Sequence, residues 1–342
     1  MRTDEIVTMD PRVHRNGGTP PLIGHETLFD SDPWREALEA SFDLDIRTFI
    51  PASEPEGRAQ YCLISDIRGS RVVCLPFSDF CQPRLGEHGW NEYLAHLQSY
   101  GRPVTIRPFK VDNLTGNPSF ERRDDHIWHG IDLSDGYDAF WTGLKSKVRT
   151  VVRRKARYGV SFRWTNSIDD LARFHAMHVD LRKSKYRLLA QPFEFFANLH
   201  DLFGDSLALV MAEVDGEPVA GMVYLECGGT WNYKFGASYP RTYRPNAALV
   251  VEACREGADR GLDLLDLGRS DIAQDGLIRF KRQFASSERM LTTLHWSPPG
   301  VETDESRAAS DTLTSLTSLL TAPGVPNDVS AEGGALLYKY FG

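Results

Sequence analysis

The sequence predicts an α/β (α+β) protein with mixed, mostly antiparallel sheets flanked by helices, and three observations predict it. The first is a run from Leu207 to Lys281 that reads strand, strand, strand, helix, strand. The second is its turn chemistry. Asp215-Gly216 and Gly228-Gly229 separate the first three strands (Leu207 to Val214, Pro218 to Leu225, Trp231 to Ser238), and both dipeptides suit two-residue hairpins. The third is an upstream stretch in which helical and extended segments also succeed one another.

Residues up to about Gly24 are rich in Pro, Gly and Arg and read as a loose arm. Asp32-Pro33 is a good helix start, and Trp34, Leu38 and Phe42 follow at helical spacing. Tyr61 to Ile67 and Arg71 to Phe77 flank Arg68-Gly69-Ser70 as a hairpin, with Pro76 breaking the second strand. Trp90 to Leu97 reads as a helix and Val104 to Phe109 as a strand. A polar loop containing Asn113, Gly116, Asn117 and Pro118 comes next, and Ile127 to Leu133 is a further strand.

The second half opens with a helix predicted from Gly136 to Tyr158. Phe140, Leu144, Val148, Val152 and Ala156 are each four apart on it and form an apolar stripe. Ser167 and Asp170 have capping-box spacing for a helix carrying Leu171, Phe174, His178 and Leu181. Pro192 starts another, with Phe193, Phe196 and Leu199, closed by Gly204. After the three strands, a helix spans Asn246 to Arg260, with Asn246 as N-cap and Gly261 just past its end. Leu262 to Gly268 is a strand whose exit carries Arg269-Ser270-Asp271, and a polar turn ends in Phe280-Lys281. Beyond His295 the composition shifts to Ser, Thr, Ala and Pro. A weak helix is expected over Ala308 to Thr321, and the apolar end, Ala335 to Phe341, is expected to pack.

The chain of 342 residues, 41% hydrophobic and 25% charged, has apolar mass for two cores. No run approaches the roughly eighteen apolar residues of a membrane span. The polar, acidic N-terminus lacks the apolar stretch of a secretory signal, so a cytoplasmic location is expected. Five cysteines without Cys-x-x-Cys spacing read as reduced, buried thiols rather than a zinc site. His126 and His129, three apart in a strand, point to opposite faces and make a poor metal pair. The net charge of −8 argues against general nucleic-acid affinity. Between Gly143 and Arg187, however, thirteen Lys or Arg stand against three Asp. That local excess of ten positive charges leaves eighteen net negative charges on the rest of the chain.

Several short motifs occur in one order: Leu75-Pro76-Phe77-Ser78-Asp79, the basic helix, Tyr233 within Asn232 to Ser238, Asp266-Leu267-Gly268, and Phe280-Lys281. As an ordered set, over about residues 30–297, they resemble the Fem-type aminoacyltransferases of the GNAT superfamily. They also resemble the GNAT acyltransferases found with cellulose and exopolysaccharide genes. The resemblance implies two tandem GNAT-like domains. Residues 25–135 would form the first and 136–298 the second, which would carry the catalytic cleft; the tail 299–342 would pack back on the first. It also implies transfer of an acyl or aminoacyl group, from acyl-CoA or aminoacyl-tRNA as co-substrate, to an amine by direct attack. No tightly bound cofactor is expected. In the Fem-type members the lysine matching Lys281 lies beside the reacting carbonyl, and a tyrosine matching Tyr233 contacts the acceptor.

An amine attacking an activated ester needs orientation, a proton sink and charge stabilisation, but no protein nucleophile. That fits a chain without a Ser/His/Asp or Cys/His constellation. Lys281 beside Phe280 reads either as an oxyanion partner or as a solvated lysine in a basic run. Tyr233 reads as an acceptor ligand or a core residue, and alternation puts Tyr233 and Phe235 on one face of their strand. Arg269 and Asp271 leave the carboxyl end of a strand, where α/β folds gather ligands, or they pair with each other. The cluster around Arg182 and Tyr186 is a candidate clamp for an anionic acceptor. On the donor side, GNAT enzymes that use acetyl-CoA hold pyrophosphate on a glycine-bearing turn. Here Arg241 to Asn246 occupies that place, with Arg244 and Asn246 at both small positions, so phosphate would be met by the charges of Arg241 and Arg244. The basic helix, with Arg153 and Arg154, either meets a tRNA acceptor stem or is a solvated face. The rival reading is a non-catalytic GNAT-like binding module in an envelope or polysaccharide assembly, favoured by the missing glycines.

Overall fold

The computed structural model describes residues 27–110, 119–154, 159–239, 245–300 and 304–342. The expected N-terminal arm, the polar loop around Asn113 to Pro118, and Arg241 and Arg244 lie outside the described residues. The chain divides into two compact units that interleave in sequence. Residues 29–125, 182–198 and 291–342 make one, the first unit; residues 126–181 and 199–290 make the core of the other, the second unit. The segment 182–198, expected within the second domain, thus clusters with the first.

In the first unit, helix α1 (Asp32–Phe42) is capped by Ser31, whose Oγ accepts from the Trp34 amide at 3.4 Å, and Pro33 sits in its first turn. Strands β1 (Ile46–Phe49), β2 (Ala59–Asp66) and β3 (Gly69–Val73) pair antiparallel in succession. Strand β4 (Val104–Ile106) runs parallel to β3 and antiparallel to the end of β11 (Ser287–Trp296). Helix α2 (Glu87–Ser99) buries Trp90, Tyr93, Leu94 and Leu97. Strand β3 stops at Val73, well short of the predicted Phe77, because Leu75 and Phe77 on either side of Pro76 take left-handed φ of 53° and 61°. Two helices, α9 (Asp304–Leu320) and α10 (Asn327–Leu337), complete this unit; the second was not foreseen. The predicted acceptor cluster forms a π-helical turn, Arg182–Tyr186. Arg187 donates to the Thr321 carbonyl, Lys183 to Asn327 Oδ1 at 3.0 Å, and Arg182 Nε to the Leu189 carbonyl at 2.8 Å. These cations hold local backbone and the C-terminal helices. Tyr186 is exposed, with the Lys185 ammonium 4.7 Å from its ring centre.

The second unit is built on strands ordered β5-β10-β9-β8-β7-β6. They are β5 (Glu121–Asp132, from His126 onward), β6 (Ser161–Thr165), β7 (Leu207–Val214), β8 (Glu217–Cys227), β9 (Thr230–Ser238) and β10 (Leu264–Asp271). All neighbours are antiparallel except β9 and β10. The hairpin signals hold. Asp215 and Gly216 have φ of 54° and 83°, and Gly228 and Gly229 have 57° and 75°, the double positive φ of a type I′ turn. Helix α7 (Asn246–Asp259) buries Leu249, Val250, Ala253 and Cys254 against Trp231, Tyr224 and Leu265. Its N-cap is Pro245 rather than Asn246, which is the first helical residue.

The long helix expected from Gly136 is instead two, α3 (Gly136–Gly143) and α4 (Ser146–Arg153), while residues 155–158 lie outside the described set. Leu144 and Lys145 are extended at the break, with ψ of 142° and 140°. Arg149 reaches back to donate to the Thr142 carbonyl at 2.9 Å and to that of Leu144, satisfying groups that a helix end leaves open. The apolar stripe survives the break, since Leu144, Val148 and Val152 remain buried. Helix α5 (Ile168–Leu181) forms without the predicted capping box. Asp170 is drawn off by Arg163, at 2.7 and 3.0 Å, and the Ser167 amide donates to Thr165 Oγ1. Strands β1, β6 and β11 were not read from the sequence. Helices α6 (Phe193–Phe203) and α8 (Asp275–Lys281) complete the described elements, and the latter replaces the predicted polar turn.

Candidate functional site

Two irregularities in neighbouring strands define the site. Strand β9 pairs with β10 only over Thr230–Asn232 against Leu264–Asp266. Past these residues β9 follows β8 and β10 follows β5, so the two strands part. Where a ladder stops, main-chain donors and acceptors are left available to a ligand.

The first irregularity lies in β10, whose register against β5 shifts between Asp266 and Arg269. Gly268 sits in the shift with φ of +69°, a conformation that costs glycine little. The Asp266 carboxylate, 2% exposed, turns inward, and its Oδ1 accepts from the Gly268 amide at 2.6 Å and from Trp128 Nε1 at 2.7 Å. Lys281, the last residue of α8, approaches the same glycine from its other side, and its Nζ donates to the carbonyls of Gly268 at 3.0 Å and Arg269 at 2.9 Å. One glycine therefore has an anion on its N–H and a cation on its C=O, both charge-assisted bonds. At 4% exposure Lys281 is a buried ammonium, not a solvated one.

The second irregularity lies in β9. Tyr224 faces Tyr233 and Val223 faces Phe235, so Lys234 is an extra residue in the ladder. The bulge overturns simple alternation. Tyr233 packs beside Tyr224, ring centres 5.8 Å apart, on the α7 side, whereas Phe235 meets His178 of α5 at 5.7 Å. The two aromatics expected on one face lie on opposite faces. The Tyr233 hydroxyl rests over Gly236, where a Cβ would overlap it.

Next to Lys281 is an ionic group, built on a buried carboxylate, that sequence reasoning missed. The Arg282 fork grips Glu288 of β11 at 2.7 and 2.6 Å, and His129 Nε2 of β5 lies 2.9 Å from Glu288 Oε2. The histidine contact is close but not aligned along a ring N–H. Burial pushes the Glu288 carboxyl up, but Arg282 and His129 together outweigh it and bring it to about 2. Burial holds His129 below its ordinary value against the pull of Glu288. Both groups bind protons more readily when unfolded, so both stabilise the fold less as pH falls. The histidine contribution declines below about 6.5, and that of Glu288 is complete above 4.5 and lost through about 2. Melting curves should therefore show stability falling steeply between about pH 4.5 and 2, and Glu288→Gln should flatten that fall.

The remaining candidates are distributed as follows. Arg269 contributes its carbonyl to Lys281 and pairs with Trp128 across the strands. Both Arg269 and Asp271 lie within β10 rather than beyond it, and Asp271 Oδ1 accepts from the Ala273 amide. Phe280 packs on Phe284, ring centres 5.3 Å apart, at the edge of the apolar core. Asn246 is exposed at the start of α7. The Arg153 guanidinium stacks 5.5 Å from the Trp141 ring, and Arg154 follows directly after α4. Arg182 and Tyr186 belong to the first unit. A pocket of about 320 Å³ near the other ends of these strands is lined by Trp164, Asn166, Asp205 and Arg260 and includes none of the candidates. Among the described residues no cluster of three or more His, Cys, Asp or Glu could hold a metal, and no helix is long and apolar enough to cross a membrane.

Residues 145–282 match the family model described as an acetyltransferase (GNAT) domain. Over these residues the chain is similar to a GNAT domain. The match ends one residue beyond Lys281, so the bulge, the parting strands and the buried lysine all fall inside the matched stretch. Among solved structures, FemX is similar over 80% of this chain and 93% of its own, with a TM-score of 0.59 and 12% identity. The C-terminal domain of a putative lysylphosphatidylglycerol synthetase from Agrobacterium fabrum is similar over 81% and 90%, at 0.54 and 14%. L-PGS from Bacillus licheniformis is similar over 78% and 88%, at 0.55 and 13%. At such identities the likeness is one of fold, and it extends well beyond residues 145–282. A comparison with curated protein sequences finds no match.

Proposed function

We propose that the GNAT domain moves an acyl or aminoacyl group from an activated donor, acyl-CoA or aminoacyl-tRNA, to an amine. The observation that carries this reading is Lys281, a buried ammonium held at the bulge of β10 where β9 and β10 part. The amine nitrogen adds to the donor carbonyl, the bond from that carbon to the ester oxygen or thioester sulfur breaks, and the nitrogen loses a proton. Lys281 supplies positive charge beside the oxygen that turns anionic, in surroundings where charge is weakly screened. Tyr233, Arg269 and Asp271 line the acceptor side. Asn246, Arg153 and Arg154 lie toward the donor, with Arg241 and Arg244 offering charge to phosphate. The first unit is the companion GNAT-like domain of a tandem.

A second reading has its own support. Lys281 already donates to two carbonyls, as a structural pin would, and a GNAT-like binding module without catalysis needs nothing more of it. Thermal-shift titration with CoA thioesters, aminoacyl-tRNA and nucleotide-sugars separates the two. A donor that binds only the folded state stabilises it by about 2.7 kcal/mol at a hundred times its Kd. Stabilisation by a thioester or an aminoacyl-tRNA is expected. A response to nucleotide-sugars alone, or to none of the three, would favour the binding module.

A further inference from the structure

We propose that Glu288 is a positioning residue for Lys281 and acts through Arg282. This inference deepens the reading just given and rests on it for its catalytic consequence, but its structural part stands apart.

Arg282 follows Lys281 directly and caps α8, its amide donating to the Ile278 carbonyl at 2.9 Å. Its guanidinium makes two parallel bonds to the two oxygens of Glu288, at 2.6 and 2.7 Å. A planar fork on a planar carboxylate fixes direction as well as distance, which a lysine in the same place would not do. Glu288 is itself immobilised. Its side chain is 5% exposed, His129 lies against the Oε2 that accepts Arg282 Nε, and two residues upstream the Ser286 amide and hydroxyl are bonded to Gly130 and Asp132 of β5. The Lys281 carbonyl is held from the other side by the Phe284 and Ala285 amides, each at 3.0 Å. The backbone from which the Lys281 side chain springs is thus tied to the sheet through a buried carboxylate, and its ammonium meets β10 at the far end.

Stability alone does not call for this arrangement. A carboxylate buried for an ion pair, as Glu288 is, loses in desolvation much of what it gains, and apolar residues of similar volume often serve as well or better. An ammonium that must stand within about half an ångström of a reacting oxygen does call for a directional anchor one residue away. The Gly268 and Arg269 carbonyls then aim the charge that Glu288 has placed.

The test replaces the pair with apolar groups, Arg282→Met together with Glu288→Leu, because removing Arg282 alone would leave the buried Glu288 carboxylate without its fork. Three quantities are read: melting temperature, the rate at which an amine-acylating reagent labels Lys281 (followed by peptide mass spectrometry), and kcat with KM for the donor. Positioning predicts a melting temperature near that of the unsubstituted protein, labelling of Lys281 at least ten-fold faster, and kcat at least ten-fold lower with KM little changed. Unchanged labelling in the folded double variant overturns the proposal. Faster labelling in a protein that has no transfer activity even when unsubstituted leaves the positioning role intact and removes the transferase reading. Should the double variant fail to fold, Glu288→Gln keeps the shape and drops the charge, and unchanged labelling there is equally decisive against the proposal.

Discussion

Lys281→Met is expected to fold and to lose turnover by one to two orders of magnitude, the scale of removing one charge-stabilising partner from an acyl-transfer site. Methionine suits the purpose because it retains the length of the lysine stem in a site that is nearly closed to solvent. What disappears is the ammonium, and with it the donors to the Gly268 and Arg269 carbonyls. Those two acceptors lose a partner, so a stability cost of about 1–3 kcal/mol accompanies the change. The two effects separate cleanly when turnover is expressed per folded molecule. A transition-state role lowers kcat at saturating donor, whereas a pin lowers only the folded fraction. Lys281→Arg adds a second comparison. It keeps the charge but brings a planar fork in place of a compact ammonium, so partial turnover is expected. Undiminished turnover per folded Lys281→Met molecule would end the assignment of Lys281 to catalysis and leave the binding-module reading in possession.

Much of the second unit was legible because its local signals agree with one another. Asp215-Gly216 and Gly228-Gly229 can hardly be anything but tight hairpins, and the apolar strands on either side have nowhere else to pair. The run Leu264-Leu265-Asp266-Leu267-Gly268 announced a buried strand with one acid in it, and that acid is the carboxylate inside the bulge. What escaped was long-range. Nothing local in Tyr233-Lys234-Phe235 betrays the bulge, because a strand inserts an extra residue to satisfy its partner rather than itself. The Glu288–Arg282–His129 group joins β5, α8 and β11 across more than a hundred and fifty residues of chain, and each member alone passes for an ordinary surface charge. The helix from Gly136 misled for a different reason. Its apolar stripe is real on both sides of the break, so periodicity could not show that Arg149 turns back on the carbonyls of Thr142 and Leu144. The cluster from Arg182 to Arg187 looked like an anion clamp because sequence shows charge but not where it is spent. Three of its cations are committed to backbone or amide oxygens.

Asp266→Ala should be the most destabilising single substitution at the site. Its Oδ1 is the acceptor for two donors, the Gly268 amide and the indole of Trp128, and both lie where water does not reach. Each donor that loses its acceptor in a dry interior costs about 1–3 kcal/mol, so roughly 2–6 kcal/mol is expected in urea or guanidinium denaturation. That is a large share of the 5–15 kcal/mol typical of a folded domain. The substitution also removes the reason for the bulge. Without the carboxylate turning inward, Gly268 has less to hold it at positive φ, and the carbonyls that receive Lys281 lose their fixed direction. Asp266→Asn retains one carbonyl oxygen that can take the place of Oδ1, so its cost should be about half, set by the weaker neutral acceptor. A double-mutant cycle of Asp266→Asn with Trp128→Phe then isolates the indole bond, for which a coupling of about 0.5–3 kcal/mol is expected between contacting residues. If Asp266→Ala unfolds at the same denaturant concentration as the unsubstituted protein, the bulge is held by the neighbouring strands alone, and the ammonium of Lys281 would have to be placed by Arg282 and Glu288 without help from β10.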